Sequence, residues 1–229
     1  MNLIRAVKAM SEVKVVRRRS SGQQSWSTPA ELAGRPEQIS IVAVGASTGG
    51  PVTLQAILSR IPVDFQPPIV IVQHMAPGFL EGLVQWLSQS SALPIRIAAS
   101  GEEMMPGTVY LAPDEGHLVI DRRHRLNVTA DAPENGVRPS IAHLFRSVAD
   151  VFGQRSACVL LSGMGTDGAA ELKRLKDLGG VAIVQDKASS VVYGMPGEAL
   201  RLGTNAIVLS PERIASVLGR LAARSQSAL

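Results

Sequence analysis

The chain has 229 residues, 45% hydrophobic but 3% aromatic, with a single cysteine. This length fits one large α/β domain with a tail, no apolar run is long enough to span a membrane, and an internal disulfide is impossible. The net charge of +4 resides in residues 1–38, with seven Lys/Arg against three Asp/Glu, while the remainder balances sixteen against sixteen, which excludes a domain-wide nucleic-acid footprint.

Residues 2–16 fit a short amphipathic helix, with Leu3, Val7 and Met10 at helical spacing. Arg17-Arg18-Arg19 leads into a Ser/Gln/Pro/Gly-rich stretch to Gln38 that reads as a linker. Three arginines do not carry lipid or nucleic-acid binding, so this tail reads as a solvated basic segment. Arg5, Lys8, Glu12 and Lys14 interrupt any signal-peptide core. Together with the lone Cys158, read as buried and inert, this points to a cytoplasmic protein without membrane insertion.

From Ile39 onward, strand-like and helix-like segments alternate. The expected strands are 39–44, 69–73, 95–98, 108–112, 157–161, 181–185 and 206–209. The expected helices are 51–60, 79–88, 140–152, 169–178, 196–202 and 211–223. Residues 101–106 read as a loop, and 118–129 as a hairpin that is the one antiparallel excursion. Such alternation implies right-handed crossovers and a parallel sheet covered on both faces.

The central stretch is Ile41 to Leu58. A β-branched run ends in Gly45-Ala46-Ser47-Thr48-Gly49-Gly50, and Pro51 opens a helix. The turn fits G-x-S-x-G, which lifts a serine hydroxyl above a sheet edge. A phosphate cradle and a plain packing turn are the rival readings. The phosphate reading is weakened because Ser47 stands where G-x-G-x-x-G needs glycine, and no G-K-[S/T] follows.

Ligands of open parallel sheets bind beyond the strands' carboxyl ends. Ser47, His74 and Asp167 each lie just past an expected strand, on one edge. Acyl transfer needs that set: a serine to attack, an imidazole to take its proton, a carboxylate to orient the imidazole. Asp114 and Asp186 also follow strands, and periodicity does not choose among the three acids. Asp167 alternatively caps helix 169–178. His117, His124 and His143 compete with His74 but read as structural. The absence of a Cys/His cluster or of i, i+4 histidines argues against zinc, and no cofactor is expected. The order Ser, His, Asp differs from the Ser, Asp, His of α/β-hydrolases.

Five segments, VGASTGG, VIVQHMAPGF, RPSIAHLFRSVA, LLSGMGTDGA and ASSVVYGMPGEA, occur in this order. Over Ile39 to about Leu221 the chain resembles the catalytic domain of the CheB chemotaxis methylesterases. The resemblance implies a doubly wound, mainly parallel sheet with helices on both faces and an inserted antiparallel hairpin. It implies hydrolysis of glutamate γ-methyl esters on the cytoplasmic helices of methyl-accepting chemoreceptors, with release of methanol, and deamidation of receptor glutamines. The family's triad falls on Ser47, His74 and Asp167. Thr48 and Met164 match positions linked to its oxyanion hole, and Tyr193 and Met195, in the 189–197 loop, match its active-site wall, with core packing the equal rival reading for both. Other readings are an esterase or amidase with another substrate, and a non-catalytic docking module of the same fold. Members commonly carry a receiver domain of ~120 residues, an ordinary domain size, ahead of the catalytic domain. Residues 1–38 match the end of a receiver and its connector, with the catalytic domain over 39–224. The corresponding expectation is a constitutively open site.

Overall fold

The computed structural model describes residues 39–223, so the expected N-terminal helix and linker lie outside the described residues. In chain order the elements are β1 (Ile41–Ala46), α1 (Gly50–Leu58), β2 (Ile69–Gln73), α2 (Leu80–Ser88), β3 (Ile95–Ile97), β4 (Glu102–Glu103), β5 (Val109–Leu111), β6 (His117–Ile120), β7 (Arg125–Thr129), α3 (Ile141–Phe152), β8 (Ser156–Leu160), α4 (Ala169–Asp177), β9 (Val181–Gln185), α5 (Met195–Arg201), β10 (Ile207–Leu209) and α6 (Pro211–Ala223).

Seven strands form one sheet in the order β10-β9-β8-β1-β2-β5-β3, and every pairing in it is parallel. β1, β2, β8 and β9 are buried along their whole length, as expected when both faces are covered. Along β1, Val42, Val44 and Ala46 face one core layer, with α1, α2 and α6. Ile41 and Ala43 face the other, with α3, α4 and α5.

Helix α3 shows how the pattern makes the layer. Ile141, Leu144, Phe145, Val148, Ala149 and Phe152 recur at helical spacing and are all buried. Each large apolar side chain so buried contributes about 1.5–3 kcal/mol. Ser140 is the N-cap, and its Oγ accepts the Ala142 N–H.

Two local expectations are corrected. Residues 101–106 are not simply a loop: Glu102–Glu103 pairs antiparallel with β7 and makes a three-stranded sheet of the hairpin. The hairpin is therefore not the sole antiparallel pairing; Glu134 and Val137 also form an antiparallel bridge. A two-residue strand has too short a pattern for periodicity to register. The first strand is displaced too: it runs to Ala46, because pairing with β2 and β8 carries the extended backbone through Gly45. Among the described residues no helix is long and apolar enough to cross a membrane.

Candidate active site

β1 is the strand from which the chain winds first to one side and then to the other. α1 leaves β1 toward one face, and α4 leaves the neighbouring β8 toward the opposite face. The crevice between them opens at the carboxyl edge. Ser47 follows β1 directly, and Asp167 lies in the segment joining β8 to α4. Ala46 pairs with Gln73, so the next residues, Ser47 and His74, emerge side by side.

The Ser47 turn is closed by Gly49, whose φ of 82° lies in the left-handed region that favours glycine. Gly50 N–H donates to Ser47 O (2.8 Å), and Ser47 N–H donates to Ser162 O (3.1 Å). Among the described residues no acceptor takes the N–H of Thr48 or Met164. Neither N–H is therefore tied up by backbone at this edge among the described residues. Ser47 Oγ likewise makes no hydrogen bond among the described residues.

His74 and Asp167 are brought together. His74 Nε2 lies 3.0 Å from Asp167 Oδ2, with both side chains largely buried. The ring nitrogen left to exchange a proton is then Nδ1. Asp167 does not cap its own helix: Gly168 is the N-cap of α4 and makes no side-chain cap. The carboxylate instead caps α3. Its Oδ2 accepts Ile141 N–H (2.7 Å), and its Oδ1 accepts Ser140 Oγ–H (2.8 Å) and Ala142 N–H (3.1 Å). Burial alone pushes the Asp167 pKa up. The hydrogen bonds from His74, Ile141, Ser140 and Ala142 outweigh it and hold the carboxyl below its ordinary value. The positive end of α3 adds to the same preference for charge.

The acids that compete with Asp167 do other work. Asp114 Oδ2 accepts Gly78 N–H, and Asp186 Oδ1 accepts the N–H and hydroxyl of Ser189. The other histidines stay clear of Ser47. His117 and His143 stack on each other, and His124 stacks on Phe152 at the hairpin tip. Cys158 is fully buried, which pushes its thiol pKa well up. Among the described residues no three His, Cys, Asp or Glu side chains converge as a metal site.

The four flanking positions fall differently. Thr48 follows β1 and Met164 follows β8 at this edge, and Met164 is 74% exposed. Tyr193 is half-buried and bridges to Gly163. Burial, with the negative Asp186 second, raises its pKa. Met195 is fully buried, with its thioether end packed on Gly163 next to Ser47 Cβ. It is thus a core residue that reaches the floor of the site.

Several residues that brace the site escaped the sequence reading. Gln73 Nε2 donates to the carbonyls of both Ser47 (2.9 Å) and His74 (2.8 Å). Ser162 Oγ donates to Thr48 O (2.7 Å) and accepts Val192 N–H (3.0 Å). Gln185 Oε1 in turn accepts Ser162 N–H (2.8 Å). The Ser47 turn is thus clamped from β2 on one side and from the segment after β8 on the other. The available signal was a buried polar residue closing an apolar run: IVIVQ and VAIVQ both end in glutamine, and a buried amide must find partners.

Residues 42–218 match the family model described as CheB methylesterase. A protein-glutamate methylesterase/protein-glutamine glutaminase of Nitrosospira multiformis is 53% identical over 96% of this chain and 63% of its own length. One of the same name from Syntrophus aciditrophicus is 49% identical, over 96% of this chain and 65% of its own length. The chain therefore spans somewhat less than two thirds of these relatives. The crystal structure of the Thermotoga maritima CheB methylesterase catalytic domain superposes with a TM-score of 0.78 at 36% identity, covering 81% of this chain and all of that one.

Proposed function

The chain belongs to the CheB methylesterase family, and from that premise we propose that it is a serine hydrolase that removes methyl groups from glutamate γ-methyl esters of chemoreceptor helices. The observation that carries the reading is the 3.0 Å contact of His74 with an Asp167 held by a helix N-terminus, beside Ser47 on the adjacent strand.

In this reading Ser47 Oγ attacks the ester carbonyl while His74 Nδ1 takes its proton. Asp167 holds the Nε2–H tautomer and stabilises the imidazolium. The N–H groups of Thr48 and Met164 receive the oxyanion, each such donor contributing about 3 kcal/mol. Collapse of the tetrahedral adduct returns the proton to the departing methanol. Water activated by His74 then attacks the acyl-serine and frees the glutamate and Ser47. A glutamine side chain follows the same course with ammonia as leaving group. Tyr193 walls the acyl pocket, Met195 packs from the core beneath it, and these steps call for no metal or cofactor.

The substrate side is supported by the rim. Val52, Phe79, Met164 and Val191 are each at least 65% exposed and lie at the starts of helices or on loops at this edge. Isolated apolar side chains at a surface need no explanation, but four around a crevice suit an apolar partner face. Residues 39–224 form the catalytic unit, and the setting is cytoplasmic, where the receptor helices lie.

The test is methanol release from methylated receptor cytoplasmic fragments by the chain and by Ser47→Ala. Release by the parent, falling on the order of 10⁶-fold in the variant, is the expected result. Equal release by both overturns the assignment of the nucleophile. Ser47-dependent cleavage of a small ester without any release from receptor fragments overturns the substrate.

A further inference from the structure

The acid of the triad is itself held by something that the reaction does not touch. Ser140 is the N-cap of α3, with extended backbone, so its own N–H points away from the helix. That N–H donates to His117 Nδ1 at 3.1 Å, in a buried setting. The hydroxyl of the same residue donates to Asp167 Oδ1. His117 opens β6, in the small antiparallel sheet, and is fully buried.

Both ring nitrogens of His117 are committed. Nδ1 accepts from Ser140, so the proton sits on Nε2, which lies 3.1 Å from Ala132 O. The ring stacks on His143 at 3.7 Å between centroids, and His143 Nδ1 contacts Glu134 Oε2 at 2.7 Å. Burial lowers the His117 pKa and favours the neutral ring that this arrangement requires. The acceptor is thus fixed in place and in tautomer. Without it, the buried Ser140 N–H has no partner, and a buried unpaired donor is costly enough to move its segment. Any such movement draws the hydroxyl and the first turn of α3 away from Asp167.

We propose that His117 is a positioning residue for the triad carboxylate, acting through Ser140. The inserted hairpin then has a part in the chemistry: it supplies the outermost member of a linked row, His117, Ser140, Asp167 and His74. The catalytic half of this inference rests on the proposed triad; the geometric half does not.

Two variants of the full chain separate this role from simple packing. His117→Asn sets an amide oxygen near the place of Nδ1 and keeps an acceptor for Ser140. His117→Gln sets an amide N–H near the place of Nε2 and keeps the donor for Ala132. A role confined to packing the 130s loop ranks Gln above Asn; the positioning role ranks Asn above Gln. The first readout is the Asp167 carboxyl titration by ¹³C NMR, without substrate. It stays at the parent's depressed value in His117→Asn and rises toward the ordinary value in His117→Gln. Ser140→Ala breaks the same row at its next member and raises it as well. The second readout is ester hydrolysis, where kcat falls about tenfold or more in His117→Gln, well short of the ~10⁴ expected for loss of the carboxylate. KM stays within about twofold, since the substrate contacts are untouched.

An Asp167 titration that is unmoved in His117→Gln or Ser140→Ala, or that moves equally in His117→Asn and His117→Gln, overturns the inference. If the titrations behave as expected while the parent shows no Ser47-dependent hydrolysis, the positioning holds and the proposed function falls instead.

Discussion

Replacing Gly163 by alanine adds one methyl group at a crowded point of the site. Its Cβ would lie 2.6 Å from Ser47 Cβ and against the Met195 thioether end. Ordinary contact begins at 3.4 Å, so either Ser47 or the Gly163 backbone must give way by about 0.8 Å. Met195 is unbranched and can rotate aside. Ser47 cannot, because its backbone is fixed by Ser162 and Gln73. Displacements of about 1 Å at a reacting group cost roughly 10²-fold in rate. Overpacking of this kind costs about 1–3 kcal/mol of stability. The expected phenotype is therefore a folded protein with kcat for ester hydrolysis down about 10²-fold. Gly82→Ala is the control: it lies within α2, and an added Cβ there meets nothing within 4 Å. Its kcat should match the parent, with an unchanged or slightly higher Tm. A Gly163→Ala enzyme with parental kcat would refute the claim that this contact sets the position of Ser47.

Other outcomes are expected from the same geometry. Asp167→Asn lowers kcat on the order of 10⁴-fold. It also loses about 1–3 kcal/mol of stability, because an amide cannot accept from Ser140, Ile141 and Ala142 together; thermal melts check the second effect. The pKa of Asp167 is lower folded than unfolded, so the folded state binds fewer protons and stability rises with pH. The parent's Tm advantage over Asp167→Asn is then fully present above the ordinary pKa of 3.8 and shrinks as pH falls below it. Ser162→Ala leaves Val192 N–H and Thr48 O unpaired beside Ser47. It should lose about 1–3 kcal/mol in denaturant unfolding, with a fall in kcat rather than a rise in KM. Gln73→Met removes both donors to the Ser47 and His74 carbonyls at similar volume. Parental kcat in that variant would show that the turn holds its shape without the clamp.

The alternation of strands and helices was legible because each buried strand is an apolar run and each helix has a 3.6-residue stripe, as in α3. Ser47 was legible as a residue on a glycine turn, and His74 as a polar residue ending an apolar strand. The choice of acid was not legible from residue pattern, because Asp114, Asp167 and Asp186 all follow strands. Family resemblance pointed to Asp167. In the structure Asp167 is the one that contacts His74, and the other two close loops. Its capping of α3 rather than α4 was hidden for a physical reason. The cap spans 25 to 27 residues of sequence, whereas capping signals are read over three or four. The clamps by Gln73 and Ser162 are equally non-local, so spacing rules do not find them.

The bracing of the Ser47 turn has a consequence for how the protein is made. Ser162 holds Thr48 across 114 residues of sequence, and β1 lies between β2 and β8 in the finished sheet. A ribosome adding roughly 5–20 residues per second delivers Ser47 many seconds before the segment after β8 that fixes its turn. During that interval β1 has one open edge, and non-local parallel pairing of this sort is slow to form. A nascent chain thus carries its serine in an unorganised turn, with neither Asp167 nor the Ser162 clamp yet synthesised. In the proposed mechanism hydrolytic competence comes late, once β8, the segment carrying Ser162 and Asp167, and β9 with Gln185 have docked. Under the proposed function, the order of synthesis itself keeps partly made chains from acting on esters.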